Sequence, residues 1–112
     1  MDRHQIQRFK TGLEIRQHEL RVTIEHQLKN ARMVEPEPDA ADQANSALEK
    51  ESLLKRGREE QHLLRAVESA LGRIRDGSFG QCLSCGNEIG RARLEGVPWT
   101  PYCINCQEAF ER

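Results

Sequence analysis

Residues 82–106 read CLSCGNEIGRARLEGVPWTPYCINC. All four cysteines of the chain lie here, as Cys82-Leu83-Ser84-Cys85 and Cys103-Ile104-Asn105-Cys106, with residues 86–102 between the pairs. A CxxC turn presents two thiolates about one ion diameter apart, and two such turns complete a tetrahedron of sulfurs about 2.3 Å from a zinc ion. The spacing falls in the range of four-cysteine zinc sites. Gly80 and Gly86 flank the first pair and permit its tight turn. Cys82, Cys85, Cys103 and Cys106 are therefore the expected ligands of one structural Zn²⁺. Four sulfurs close the shell and leave no position for water or substrate, which disfavours catalytic zinc. Two disulfides, or a redox CxxC, are the competing readings. The first needs an oxidising compartment and the second a βαβ setting that the sequence does not display.

Working outward, Ile89, Leu94, Val97, Pro98 and Trp99 lie between the pairs and supply a small apolar cluster around the metal. Short β-segments are expected near 89–94 and 100–102, with helix resuming at Cys103 and running on through Ala109 and Phe110. Upstream, Asp76-Gly77 closes a helix that begins at about residue 42. Its apolar stripe runs through Leu53 or Leu54, Leu64, Val67, Leu71 and Ile74, with Gly57 as a weak point. Before it, Glu35-Pro36-Glu37-Pro38-Asp39 removes two backbone donors and stops an earlier helix, while Asp39 and Asp42 are good N-cap residues. That first helix starts almost at residue 1 and extends to about 34, with Ile6, Phe9, Leu13, Leu20, Ile24 and Leu28 on one face. Two helices of similar length joined by a short turn pair antiparallel. The expected fold is mainly α: a long antiparallel helical hairpin, close to a coiled coil, over 1–76 with its acidic tip at 35–44. A C4 zinc-finger head with a C-terminal helix follows over 77–112.

Composition agrees with a chain that has little interior. Of 112 residues, 37% are apolar, 31% are charged and five are aromatic. A compact domain of this size carries nearer half apolar residues. The net charge of −1 conceals a layout of +3 over 1–34, −5 over 35–51, +2 over 52–78 and −1 over 79–112. This argues against generic nucleic-acid binding, which needs a strong basic excess. No apolar run approaches the roughly 18 residues of a membrane span, and no signal-peptide core is visible, so a soluble, cytoplasmic chain is expected. His4, His18, His26 and His62 lack ligand spacing and are expected at the surface.

The tip Pro38-Asp39-Ala40-Ala41-Asp42-Gln43-Ala44, the stretch from Gly77 to Gly90, then Arg93-Leu94-Glu95, Pro98 and Cys103-Ile104-Asn105-Cys106 together closely resemble the DksA/TraR family of bacterial transcription regulators. The resemblance covers nearly the whole chain. It implies that the protein binds RNA polymerase, inserting the hairpin into the secondary channel with Asp39, Asp42 and Ala44 at the tip. It also implies an effect on transcription initiation without reading DNA sequence. Lys55, Arg56 and Arg58 are candidate polymerase contacts on the shaft, and Glu59 departs from the polar or basic residue expected there. Family members that bind the alarmone ppGpp have basic residues where this chain has Ala66, Val97 and Gln107, and only Arg93 is retained. A weak or absent ppGpp response is therefore expected. The interrupted heptads lead us to expect a monomer, and the lack of a long apolar run no membrane contact. The absence of a nucleophile–base pair or open metal site leads us to expect no enzymatic activity. Two alternatives stay open: a zinc-finger DNA-binding module, which would want a basic helix beside the metal, and a coiled-coil adaptor without polymerase contact.

Overall fold

The computed structural model describes the backbone of residues 1–32 and 40–112, and the side chains of residues 1–30 and 47–112. The chain is mainly helical: α1 (Arg3–Arg32), α2 (Ala40–Asp76), α3 (Arg91–Gly96) and α4 (Ile104–Glu111). Asp39 lies outside the described residues; Asp42 and Ala44 fall within the bounds of α2, but their side chains lie outside the described ones. Two compact units divide the chain, one of residues 1–17 with 65–112, the other of residues 18–64.

In the first unit, α1 begins with a reciprocal cap. The Gln5 N–H donates to Asp2 Oδ1 at 2.8 Å, and the Asp2 N–H donates to Gln5 Oε1 at 3.2 Å. The stripe of α1 lies against the end of α2: Phe9 meets Phe79 at 5.4 Å between ring centroids, and Gln17 donates to Glu68 Oε2. Leu13, Val67, Ala70, Leu71, Phe79, Ile89 and Leu94 are buried, so this unit holds most of the apolar interior among the described residues. Termination of α2 follows the chemistry of Gly77, at φ +84°. With the glycine left-handed, the Ser78 N–H reaches back to the Arg73 carbonyl at 3.0 Å and caps the helix.

In the second unit, Leu20 is buried and Ile24 half-buried, while Leu28, Leu48, Leu53 and Leu54 are exposed. A pair of helices has only one shared side to bury, and here that side is narrow. Gly57 sits within an unbroken α2, where an added Cβ would meet Gln27 Oε1 at an ordinary contact distance of 3.6 Å. No helix among the described residues is long and apolar enough to cross a membrane.

One expectation is corrected. Residues 91–96 form helix α3, and 100–102 form no strand. Pairing among the described residues is confined to a single antiparallel bridge between Gln81 and Glu88. Arg91-Ala92-Arg93-Leu94-Glu95 contains no β-branched residue and consists of good helix formers. Bonds from the Leu94 N–H to the Gly90 carbonyl and from the Val97 N–H to the Arg93 carbonyl close its turns.

Candidate metal centre

The first thiol pair sits on a tight hairpin. Gly80 at φ +89° and Gly86 at φ +77° bracket it, as their lack of a Cβ allows. The Cys82 N–H donates to the Asn87 carbonyl at 2.8 Å, the Gly86 N–H to the Cys82 carbonyl at 3.0 Å, and the Ile89 N–H to the Gly80 carbonyl at 2.7 Å. The second pair uses a helix start instead. Cys103 is the N-cap of α4, extended at φ −69° and ψ 165°, and Cys106 follows in the first turn. A spacing of three residues puts both sulfurs on one side of the helix.

The hairpin and the helix start bring all four sulfurs within 4.8 Å of one another. Cys85 Sγ and Cys103 Sγ are 3.8 Å apart. Zinc–sulfur bonds of about 2.3 Å in a tetrahedron give sulfur separations of about 3.8 Å. A disulfide would need about 2.05 Å, and all four are free thiols. Cys82 is buried, Cys103 and Cys106 are half-buried and Cys85 is exposed.

The thiols do not share protons evenly. Burial works to raise Cys82, but N–H donors from Cys85, Cys103 and Ser84, with the Cys85 thiol, outweigh it and bring Cys82 down to about 6. Cys106 is pushed up to about 12 by hydrogen bonding with the Cys103 thiol, then by burial and by Cys82. Four sulfurs this close cannot all ionise without a cation between them, and a divalent soft-ligand ion meets that requirement. The donor set therefore fits one structural Zn²⁺ in a closed shell.

Around the thiols, Ile89 and Leu94 are buried, whereas Val97, Pro98 and Trp99 are half-buried. The Trp99 carbonyl accepts from Arg73 Nη2 at 3.2 Å. Burial pulls the Arg73 guanidinium below its ordinary value, and Asp76 opposes that shift. Tyr102 and Phe110 stack edge-on at 4.8 Å, tying α4 to the segment before Cys103. Arg93, singled out as a retained cation, has its guanidinium engaged: Nε donates to the Tyr102 carbonyl at 2.9 Å and Nη2 to Thr100 Oγ1 at 3.2 Å. Thr100 went unread in the sequence because nothing in its local pattern marks a residue whose partners lie on another element.

The other sequence candidates lie elsewhere. Lys55, Arg56 and Arg58 are exposed on α2 in the second unit, away from the thiols in sequence and in unit. His4, His18, His26 and His62 are exposed, and the cysteine group is the one cluster suited to a metal among the described residues.

Residues 77–112 match the family described as the prokaryotic dksA/traR C4-type zinc finger, whose cofactor is the single zinc that the thiol geometry accommodates. An uncharacterized protein of Aquifex aeolicus strain VF5 is 47% identical over 49 residues, which is 44% of this chain and 34% of that protein's length. The RNA polymerase-binding transcription factor DksA of Salmonella typhimurium is 34% identical over 115 residues, covering 99% of this chain and 74% of that one. Among solved structures, the transcription factor DksA2 from Pseudomonas aeruginosa is similar with a TM-score of 0.86 and 32% identity, covering 99% of this chain and 86% of that chain. With helices, thiol cluster and full-length similarity in agreement, this chain belongs to the DksA/TraR family of C4-type zinc-finger proteins.

Proposed function

We propose that this protein is a transcription regulator that binds RNA polymerase, with α1 and α2 as the inserting element and a zinc head as their support. The observation that carries this reading is the reach of the similarity. It covers 99% of the chain against a relative named for RNA polymerase binding, so it includes the helices and the tip as well as the finger. In this reading residues 1–76 act as the hairpin and 77–112 as the head. Cys82, Cys85, Cys103 and Cys106 are the ligands of the zinc. Asp39, Asp42 and Ala44, in the acidic tip segment, enter the secondary channel and act on the catalytic centre during initiation. Lys55, Arg56 and Arg58 contact the polymerase along the way, and their exposure supports this.

The protein acts in the cytoplasm as a monomer. It makes no sequence-specific DNA contact, in keeping with the net charge of −1 over residues 79–112. It is not an enzyme: a four-thiolate shell has no open position for a substrate. The ppGpp response is weak or absent, because Ala66, Val97 and Gln107 supply no cation and the Arg93 guanidinium already donates to Tyr102 and Thr100.

The test compares wild type with the Asp39→Asn/Asp42→Asn variant against core RNA polymerase. Wild type is expected to be retained in a pull-down and to change open-complex lifetime at a promoter. The variant should be retained equally and lose that effect. Failure of the wild type to bind polymerase would sink the proposal. In the same assay, ppGpp should leave the effect nearly unchanged, and strong potentiation would contradict the alarmone reading.

A further inference from the structure

The second thiol pair depends on a short irregular segment, residues 97–102, to bring Cys103 to Cys82 and Cys85. Four of its carbonyls and the Thr100 hydroxyl are tied. The Thr100 N–H donates to the Val97 carbonyl at 3.0 Å, and the Leu83 N–H, inside the first CxxC, donates to the Pro101 carbonyl at 2.9 Å. The Trp99 carbonyl accepts from Arg73. The last carbonyl before the ligand, that of Tyr102, accepts twice: from Arg93 Nε at 2.9 Å and from Thr100 Oγ1 at 3.0 Å.

Thr100 is 5% exposed, and its hydroxyl has one proton to give and two lone pairs to fill. All three are used. It donates to the Tyr102 carbonyl and accepts from Arg93 Nη2 at 3.2 Å and from the Tyr102 N–H at 3.3 Å. The Arg93 guanidinium spans two acceptors with two of its nitrogens, a planar reach that a lysine ammonium does not reproduce.

We infer that Arg93 and Thr100 are positioning residues for the metal centre: together they lock the backbone of Tyr102 and thereby set the site of Cys103 before the ion arrives. The inference rests on the zinc reading of the four thiols. Partners that orient metal ligands from outside the first shell commonly contribute 10- to 100-fold in metal affinity. Preorganising one of two ligand pairs acts in the same way, by slowing the opening of the shell.

The experiment measures zinc release from the full-length chain to a chromophoric chelator, for wild type, Arg93→Ala, Arg93→Lys, Thr100→Val and Thr100→Ser. Thr100→Val keeps the side-chain shape and removes the hydroxyl, whereas Thr100→Ser keeps the hydroxyl. Release is expected to be roughly tenfold faster for Thr100→Val and for both Arg93 variants, with Thr100→Ser close to wild type. Cobalt-loaded protein supplies the readout that lost stability alone does not move: the thiolate-to-metal absorption should shift in Thr100→Val and stay in place in Thr100→Ser. Wild-type release and absorption in Thr100→Val would overturn the inference, as would Thr100→Ser behaving like Thr100→Val. If Arg93→Ala does not fold, the Thr100 pair decides. A wild-type chain that takes up neither zinc nor cobalt would instead overturn the metal reading, so the two failures are distinguishable.

Discussion

A methyl group added at Gly77 and one added at Gly12 both meet open space, yet they have opposite consequences. Gly77 holds φ +84° at the end of α2, where an L side chain is strained by roughly 1–2 kcal/mol. Gly12 lies within α1, where alanine is the better helix former by roughly 0.5–1 kcal/mol. Denaturant midpoints of the zinc-loaded chain should fall for Gly77→Ala and rise for Gly12→Ala; equal midpoints would contradict the cap. Leu94, 2% exposed, should lose about 2–5 kcal/mol on truncation to Ala, and Leu54, 52% exposed, should change stability by less than about 0.5 kcal/mol. Asp76 carries a pH signature. Its carboxylate accepts from the Ser78 hydroxyl and from the Ser78 N–H at 3.0 Å, and these bonds hold it below the usual carboxylate range. The ionised form is the one the fold favours. Its contribution is complete above the ordinary carboxylate value and lost as pH falls through the lowered one. The stability gap between wild type and Asp76→Ala should therefore stand at pH 6 and narrow below about pH 4. A gap that widens toward acid would reverse the assignment.

At the scale of elements, the metal supplements the small interior that Phe79, Ile89 and Leu94 supply to residues 77–112. Removing it with a chelator should lower the melting temperature and loosen the hairpin of residues 80–89 and the start of α4, as seen in amide exchange. An unchanged melting curve would contradict a structural role. Zinc uptake should release protons and weaken as pH falls, since thiols such as Cys106, pushed up to about 12 without metal, must give theirs up. These elements differ in how much of them can be read from residue order. Gly77 punctuates the chain by fixed backbone chemistry, so the end of the second long helix could be placed where α2 ends, whereas Pro36 and Pro38 lie outside the described residues. The thiols were readable because ligand chemistry demands their spacing. Helix α3 was not, since six residues are too few to display a period. The partners of Arg93 and Thr100 escaped because they are fixed by an irregular path between elements. The apolar stripes also overstated burial: Leu28, Leu53 and Leu54 repeat like core residues but are exposed, because the second unit has little to bury them against.

At the scale of the molecule, shortage of aromatic and apolar residues and concentration of acidic charge have one explanation. Most of the chain serves long helices with large exposed surface, and the head is small enough to need an ion. The acidic excess of −5 over residues 35–51 then lies where the proposed function uses it, beside the catalytic centre of a polymerase. Entry of that acidic segment into the secondary channel is the central claim, and site-specific crosslinking tests it most directly. With a photoreactive residue in place of Gln43, illumination of the complex with core RNA polymerase should yield crosslinks to segments lining the secondary channel near the active centre. Crosslinks confined to the outer surface of the polymerase, or none while the complex remains intact, would contradict it.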